Sequence, residues 1–273
     1  MRRLFWDIET SKGIYGIFGQ GWNLRVGPGD EIVAPRIICI CYKWEDEKKI
    51  HSIEWDKGDD RKVIRDFIKV LDTADESLGH NIDGFDLPWI RRRAIFYKIP
   101  MYWDYPTLDT LKGTKKNSGR GFRFDSNRLD AIARHLGIGK KIKTDIDLWH
   151  DITYPAFLTG LFPITDKYYK ALRKMVKYCK MDVEILEQVY KRLTPYIKQK
   201  THAGVIAGGN KWDCPKCASG NIYSKETVVT AAGTKRKRLL CTDCGVTQTV
   251  AMKTFIDWQQ FKVDLKLRNE QTC

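Results

Sequence analysis

The chain has 273 residues, 42% of them hydrophobic and 30% charged, with a net charge of +14 and a pI near 9.3. That length holds one sizeable core and a small appendage, and no run approaches the roughly 20 apolar residues of a membrane span. The excess of cations excludes an acid-rich solvating chain and points to a polyanionic partner, nucleic acid first of all.

The first predicted element is a strand, Leu4-Phe5-Trp6-Asp7-Ile8-Glu9-Thr10, an apolar run that ends in two acids spaced i, i+2. Side chains alternate faces along a strand, so Asp7 and Glu9 project the same way. Two like charges held that close on a half-buried strand repel and are costly to desolvate unless a cation lies between them, and a divalent metal answers that need; two solvated acids at a strand end are the alternative. Residues 11–36 are rich in glycine and aromatics, among them Tyr15, Phe18 and Trp22, and read as a loop or loose hairpin beside the acids. Residues 36–42 and 50–55 are two further strands joined by a charged turn. From Arg61 the period changes, and Val63, Ile64, Phe67, Ile68 and Leu71 mark an amphipathic helix.

Residues 77–81 are predicted as a short strand, Asp83-Gly84 as a turn and residues 85–97 as a helix whose first turn tolerates Pro88. Residues 107–111 follow as a short strand, and residues 112–125, with Lys112, Lys115, Lys116, Arg120 and Arg123, as a basic loop. A helix resumes near Asn127 and stops at Gly137. A long one spans residues 166–193, with Leu172, Met175, Val176, Cys179, Val183, Leu186 and Tyr190 on one stripe. Three early strands, then helices alternating with short strands, describe an α/β domain with a mixed sheet and the acid-bearing strand at its centre.

Two more acids stand out. Tyr178 and Asp182 are i, i+4 on the long helix, at the border of its apolar stripe, where an unpaired carboxylate is costly and metal ligation would explain it; a partly exposed acid beside a core tyrosine is the alternative. Asp86 closes the segment Asn81-Ile82-Asp83-Gly84-Phe85-Asp86 near a helix N-terminus, where capping is the alternative role. Asp83 competes with it but suits the turn.

Together these segments resemble the three exonuclease motifs of the DEDD (DnaQ-like) superfamily of 3′–5′ exonucleases, on a ribonuclease H-like fold. Asp7-Ile8-Glu9 matches the first motif, Asn81 to Asp86 the second, and Tyr178 to Asp182 the third. The tyrosine there is similar to the branch that includes the proofreading domains of family-B DNA polymerases; the histidine branch needs His at position 177, which is Lys. The wording of the segments, including residues 126–137, is most similar to stand-alone phage or prokaryotic exonucleases. The resemblance implies two divalent ions, Mg²⁺ or Mn²⁺. Asp7 would bridge both, Glu9 and Asp182 would complete the first, Asp86 would hold the second, and Tyr178 would orient the attacking water. It also implies a nucleic-acid substrate degraded from its 3′ end, DNA rather than RNA. Asn81 and the aromatics Tyr15, Phe18 and Trp22 either position the terminal nucleotide, by stacking in the case of the rings, or pack over the sheet edge.

Four of the eight cysteines fall in two C-x-x-C pairs, Cys214/Cys217 and Cys241/Cys244, while Cys39, Cys41, Cys179 and Cys273 are scattered. The pairs suit one structural Zn²⁺ in a ribbon, not a disulfide framework. Residues 228–240 alternate around a turn and carry Lys235-Arg236-Lys237-Arg238, four charges available to phosphates. The expected organisation is an exonuclease domain at 1–200, a linker at 201–211, the ribbon at 212–250 and a tail at 251–273 that forms a strand or short helix. A start without the apolar segment of a signal peptide and the metal-type use of cysteine place the chain in a reducing cytoplasm, that of the host if it is phage-encoded. It would act as a monomer, alone or docked on replication or repair proteins. The rival readings are an exoribonuclease of the same fold and a non-catalytic adaptor that presents the ribbon.

Overall fold

A strand buried on both faces must be apolar at nearly every position. Arg3–Thr10 is such a strand: Leu4, Phe5 and Trp6 are fully buried and Ile8 nearly so. The structure, a computed structural model, describes residues 1–18, 26–114, 122–139 and 145–271. Its contacts divide the chain into one unit of Arg2–Lys191 and another of Arg192–Cys273 with Met1. Among the described residues no helix is long and apolar enough to cross a membrane.

In chain order the first unit comprises β1 (Arg3–Thr10), β2 (Ile14–Tyr15), β3 (Glu31–Val33), β4 (Ile37–Trp44), β5 (His51–Glu54), α1 (Arg61–Leu71), β6 (Glu76–Gly79) and α2 (Asp86–Tyr97). There follow β7 (Thr107–Asp109), α3 (Thr110–Thr114), α4 (Leu129–His135), α5 (Ile146–Phe157) and α6 (Asp166–Leu193), whose last two residues fall in the second unit. The main sheet has the order β5-β4-β1-β6-β7, so β1 is central, as expected. It is mixed: β1 is antiparallel to β4 and parallel to β6. One face of β1 meets α1, with the Trp6 and Phe67 ring centroids 4.7 Å apart. The other meets α6, with Phe5 and Tyr190 at 5.4 Å. All seven residues of the expected α6 stripe are buried.

Buried ion pairs fix the elements around the sheet. Asp60, at the entry to α1, is fully buried; its carboxylate accepts from Ile37 N at 2.9 Å and from Arg93 Nε and Nη2 at 2.8 and 2.7 Å. That bidentate pair, joined by the Tyr97 hydroxyl at 2.6 Å, ties α2 to α1 and to the start of β4. Arg3 reaches Glu76 across the β1–β6 pair at 2.9 Å, and Lys43 of β4 bonds Glu187 of α6.

Several elements differ from expectation. The strand read at 107–111 ends at Asp109 and becomes α3, with Asp109 Oδ1 accepting from Leu111 N at 2.9 Å. Lys112 belongs to that helix and pairs with Asp83, while Lys115, Lys116 and Arg120 lie outside the described residues. The segment of residues 11–36, by contrast, agrees with the hairpin alternative: it carries β2 and β3, which pair antiparallel with each other.

The second unit holds α7 (Ala203–Ile206), β8 (Ile222–Val229), β9 (Lys235–Cys241), β10 (Thr247–Ala251) and α8 (Met252–Gln271), with its sheet in the order β10-β9-β8. The stretch expected as linker thus contains a helical turn, and the tail is a 20-residue helix. Phe255 and Trp258 of that helix pack on a small core of Ile222, Leu239, Val246 and Val250.

Candidate functional site

Asp7 and Glu9 lie on the face of β1 that α6 covers, and α6 brings Asp182 to them. Carboxylate oxygens of the three lie within 4.8 Å of one another. Asp7 is half-buried, while Glu9 and Asp182 are 9% and 4% exposed. Like charges gathered at that spacing in a poorly hydrated place favour a cation among them. Oxygen-only donors suit a hard ion such as Mg²⁺ or Mn²⁺, so these residues fit the divalent metal that their pattern implies.

Asp86 approaches from the opposite edge of β1. Strand β6 pairs with β1 only at Arg3–Phe5 and ends at Gly79. Beyond that point Asp86 takes over, its Oδ1 accepting from Ile8 N at 3.3 Å. The turn that delivers it is built by Asn81, whose backbone sits in the left-handed region at φ 71°, a conformation asparagine tolerates. Asn81 O accepts from Gly84 N and Phe85 N, and Asn81 N donates to Asp109 Oδ1 at 2.9 Å. Gly84 leaves room there for the Asn81 amide: a Cβ on it would stand 2.6 Å from Asn81 Oδ1 and push that side chain aside. Asp83 points elsewhere, to Thr107 and Lys112. Burial pushes the Asp86 carboxyl up to about 7; the Ile8 N–H works against that rise and the nearby Asp109 adds to it. A carboxyl so reluctant to ionise is poised to gain from a bound cation.

An open cavity of about 400 Å³ is lined by Asp7, Tyr178 and Asp182 together with His80, Arg128, Leu129 and Asp130. Tyr178, half-buried and one turn before Asp182, lines this space. The lining residues from α4 and its entry, and His80, were not anticipated. His80 is held between Thr110 Oγ1 at 2.9 Å and Asn127 O at 2.8 Å. Arg128 is exposed at the rim. Only the fold brings these residues to the acids; nothing in their spacing signals it.

Tyr15 lines a separate hollow with Val26, Gly27, Pro28 and Glu31, Phe18 is fully exposed, and Trp22 lies outside the described residues.

In the second unit the four ribbon cysteines converge. Cys214 and Cys217 Sγ lie 3.5 Å from Cys244 Sγ, and Cys217 Sγ lies 3.6 Å from Cys241 Sγ. Zinc–sulfur bonds of about 2.3 Å in a tetrahedron place sulfurs about 3.8 Å apart, so the set fits Zn²⁺. Lys216 N and Cys217 N both donate to Cys214 Sγ, as in a metal knuckle. Burial pushes the Cys214 thiol well up, which a cation would reverse. Of the basic run on β9, Lys235 and Arg236 are exposed, Lys237 Nζ sits 5.0 Å over the Phe255 ring, and Arg238 pairs with Glu226.

Comparison with known proteins adds three findings. A family model described as the RNase H superfamily matches residues 35–194, a span that holds Asp86, Tyr178 and Asp182 and leaves β1 outside. Over 67 residues the chain is 39% identical to a DNA polymerase of Archaeoglobus fulgidus; the stretch is 24% of this chain and 8% of that protein, so the chain spans a small part of that relative. A family B DNA polymerase structure from Pyrobaculum calidifontis aligns with a TM-score of 0.48 at 19% identity, over 71% of this chain and 24% of that one.

Proposed function

The chain belongs to the RNase H superfamily, and from that premise we propose that it is a metal-dependent 3′–5′ exonuclease that shortens DNA, with a zinc ribbon that helps hold the strand. Family membership supports a nuclease-type function; the finer reading rests on one observation. Asp7, Glu9 and Asp182, from two elements far apart in sequence, place carboxylate oxygens within 4.8 Å of one another, beside a cavity open to solvent. The three exonuclease-like motifs in their order supply the 3′–5′ polarity and the tyrosine-branch assignment.

Two divalent cations would supply the activated water, the charge stabilisation at phosphorus and the help to the departing 3′-oxygen. The protein's own groups do the rest. Asp7, Glu9 and Asp182 would hold one ion and Asp7 with Asp86 the other. Tyr178 would orient the water through its hydroxyl, and Glu9 would accept a hydrogen bond from the same water. Arg128 at the rim is placed to pair with a phosphate of the entering strand. Asn81 fixes the turn that carries Asp86, a positioning role. In the ribbon, Cys214, Cys217, Cys241 and Cys244 would fill all four zinc positions, leaving none for substrate.

The test is digestion of 5′-labelled DNA and RNA, single and double stranded, with Mg²⁺, Mn²⁺ or EDTA. A ladder shortening from the 3′ end of DNA, abolished by EDTA, is the expected result. Preference for RNA would favour the exoribonuclease, and binding without cleavage in either metal would favour the adaptor.

A further inference from the structure

A second donor set lies behind the carboxylates. In the β1–β4 register Cys41 stands opposite Asp7 and Cys39 opposite Glu9. Directly opposed residues of an antiparallel pair share a face, so these thiols also point toward α6. From that helix comes Cys179, whose Sγ donates to Asp7 O at 3.4 Å and lies 3.9 Å from Asp7 Oδ2. Cys41 Sγ donates to Val176 O on the same helix at 3.7 Å. The three sulfurs are fully buried and within 4.8 Å of one another.

Buried cysteine usually serves as a small apolar side chain. Three within 4.8 Å of one another, one of them 3.9 Å from a carboxylate oxygen, offer more. Thiolates select zinc-like cations, whereas the neighbouring oxygen-only set selects hard ones. We propose that Cys39, Cys41 and Cys179, with Asp7 as the fourth ligand, form a site for Zn²⁺. On binding, the thiols release their protons to solvent and the sulfurs draw in to the separations already present in the ribbon. Asp7 then belongs to two competing sites: a carboxylate engaged by the thiol-bound zinc is withdrawn from the Mg²⁺ set. Zinc is thus an inhibitor built into the sheet. That consequence rests on the nuclease reading above, while the binding itself does not.

The experiment is a Cd²⁺ titration of the reduced, metal-stripped full chain, followed by the ultraviolet charge-transfer band of cadmium–thiolate bonds, to which carboxylate sites contribute nothing. The wild type should take two equivalents, the second step about three-quarters the height of the first, because three sulfurs follow four. Cys179→Ala and Cys41→Ser should each lose the second step and keep the first, with unchanged far-ultraviolet spectra. Saturation of the wild type at one equivalent overturns the proposal, as does a second step that survives in both variants; the wild-type count needs no variant to fold. Trace Zn²⁺ in Mg²⁺ buffer should slow DNA cleavage by the wild type more than by Cys179→Ala. Two equivalents without nuclease activity would leave the thiol site standing and remove the nuclease reading; cleavage with one equivalent would do the reverse.

Discussion

Asp86→Asn should make the metal-free protein more stable while it removes the activity. The Asp86 carboxyl is raised from its ordinary 3.8 to about 7, mainly by burial, and the residue is 3% exposed. A rise of about three log units, at about 1.4 kcal/mol each, corresponds to a ceiling of about 4 kcal/mol. The sign follows from linkage: between 3.8 and about 7 the folded chain binds a proton that the unfolded chain has lost, so this group's contribution to stability declines as pH rises through that window. Above about 7 the full cost of an ionised buried carboxylate is present. Asparagine keeps an acceptor for Ile8 N but brings an amide donor that also needs a partner, at a cost of about 1–3 kcal/mol. The net gain at pH 8 should therefore be about 1–3 kcal/mol, shrinking to nothing or reversing by pH 5. Urea unfolding of the full chain in EDTA at pH 5, 6, 7 and 8 measures it, and other titrating groups cancel between the two proteins. Added Mg²⁺ should stabilise the wild type and not the variant. An Asn variant destabilised equally at pH 5 and pH 8 would refute the idea that Asp86 is held at a cost for metal binding.

Asp7→Ala and Asp182→Ala should each abolish hydrolysis while nucleic-acid binding persists, read by gel shift beside the cleavage assay. Tyr178→Phe should lower kcat by roughly 10- to 1,000-fold, the range for losing one orienting hydrogen bond, with an unchanged melting temperature; wild-type turnover would reduce Tyr178 to a packing residue. Arg93→Met should cost about 3–5 kcal/mol in chemical unfolding by stranding the fully buried Asp60, and Asp60→Asn in the same chain should recover part of it. Replacing Lys235 and Arg236 by Gln should lower the slope of log affinity against log salt by about two for duplex DNA and leave kcat on short oligonucleotides intact. The same change at Lys237 and Arg238 should do less, since both are already engaged.

What the sequence revealed, and what it hid, has a physical pattern. Strand β1 was legible because a central strand is apolar on both faces, so two acids inside it stand out. Helix α6 was legible because one face alone is buried and the 3.6 period survives. Helix α5 was missed: Pro155 sits inside it, and only Leu148, Ile152 and Thr153 are buried. The Gly-rich stretch before the ribbon read as linker, yet Gly204 serves packing there, since a Cβ would stand 2.8 Å from Asp213 Cβ. Helix α8 read ambiguously because Val263, Leu265 and Leu267 are about half exposed and fit no single face. The acids of the site could be picked out because each breaks a local rule of burial. Arg128 and His80 break none, and only the folded chain shows them at the cavity.

The packing that stabilises the first unit also sets the spacing of its carboxylates. Phe5, Asp7 and Glu9 share a face of β1, and the α6 stripe that packs Tyr190 on Phe5 also carries Cys179 onto Asp7. Asp182, one turn after Tyr178 on the same helix, is thereby buried where the core meets the cavity. Turning α6 by one residue, about 100°, would lose the stripe and the site together. On the far edge Asp86 is held by a helix whose other end is bonded to Asp60 and, through it, to Ile37 N. Each acid thus reaches the centre on an element anchored elsewhere by apolar burial or a buried ion pair. Three carboxyls that repel one another, with the buried Asp86 as a fourth ionisable group, can be kept in place without a metal only if those distant anchors are stiff. It follows that loosening an anchor, as in Arg93→Met, should weaken metal binding before it unfolds the chain.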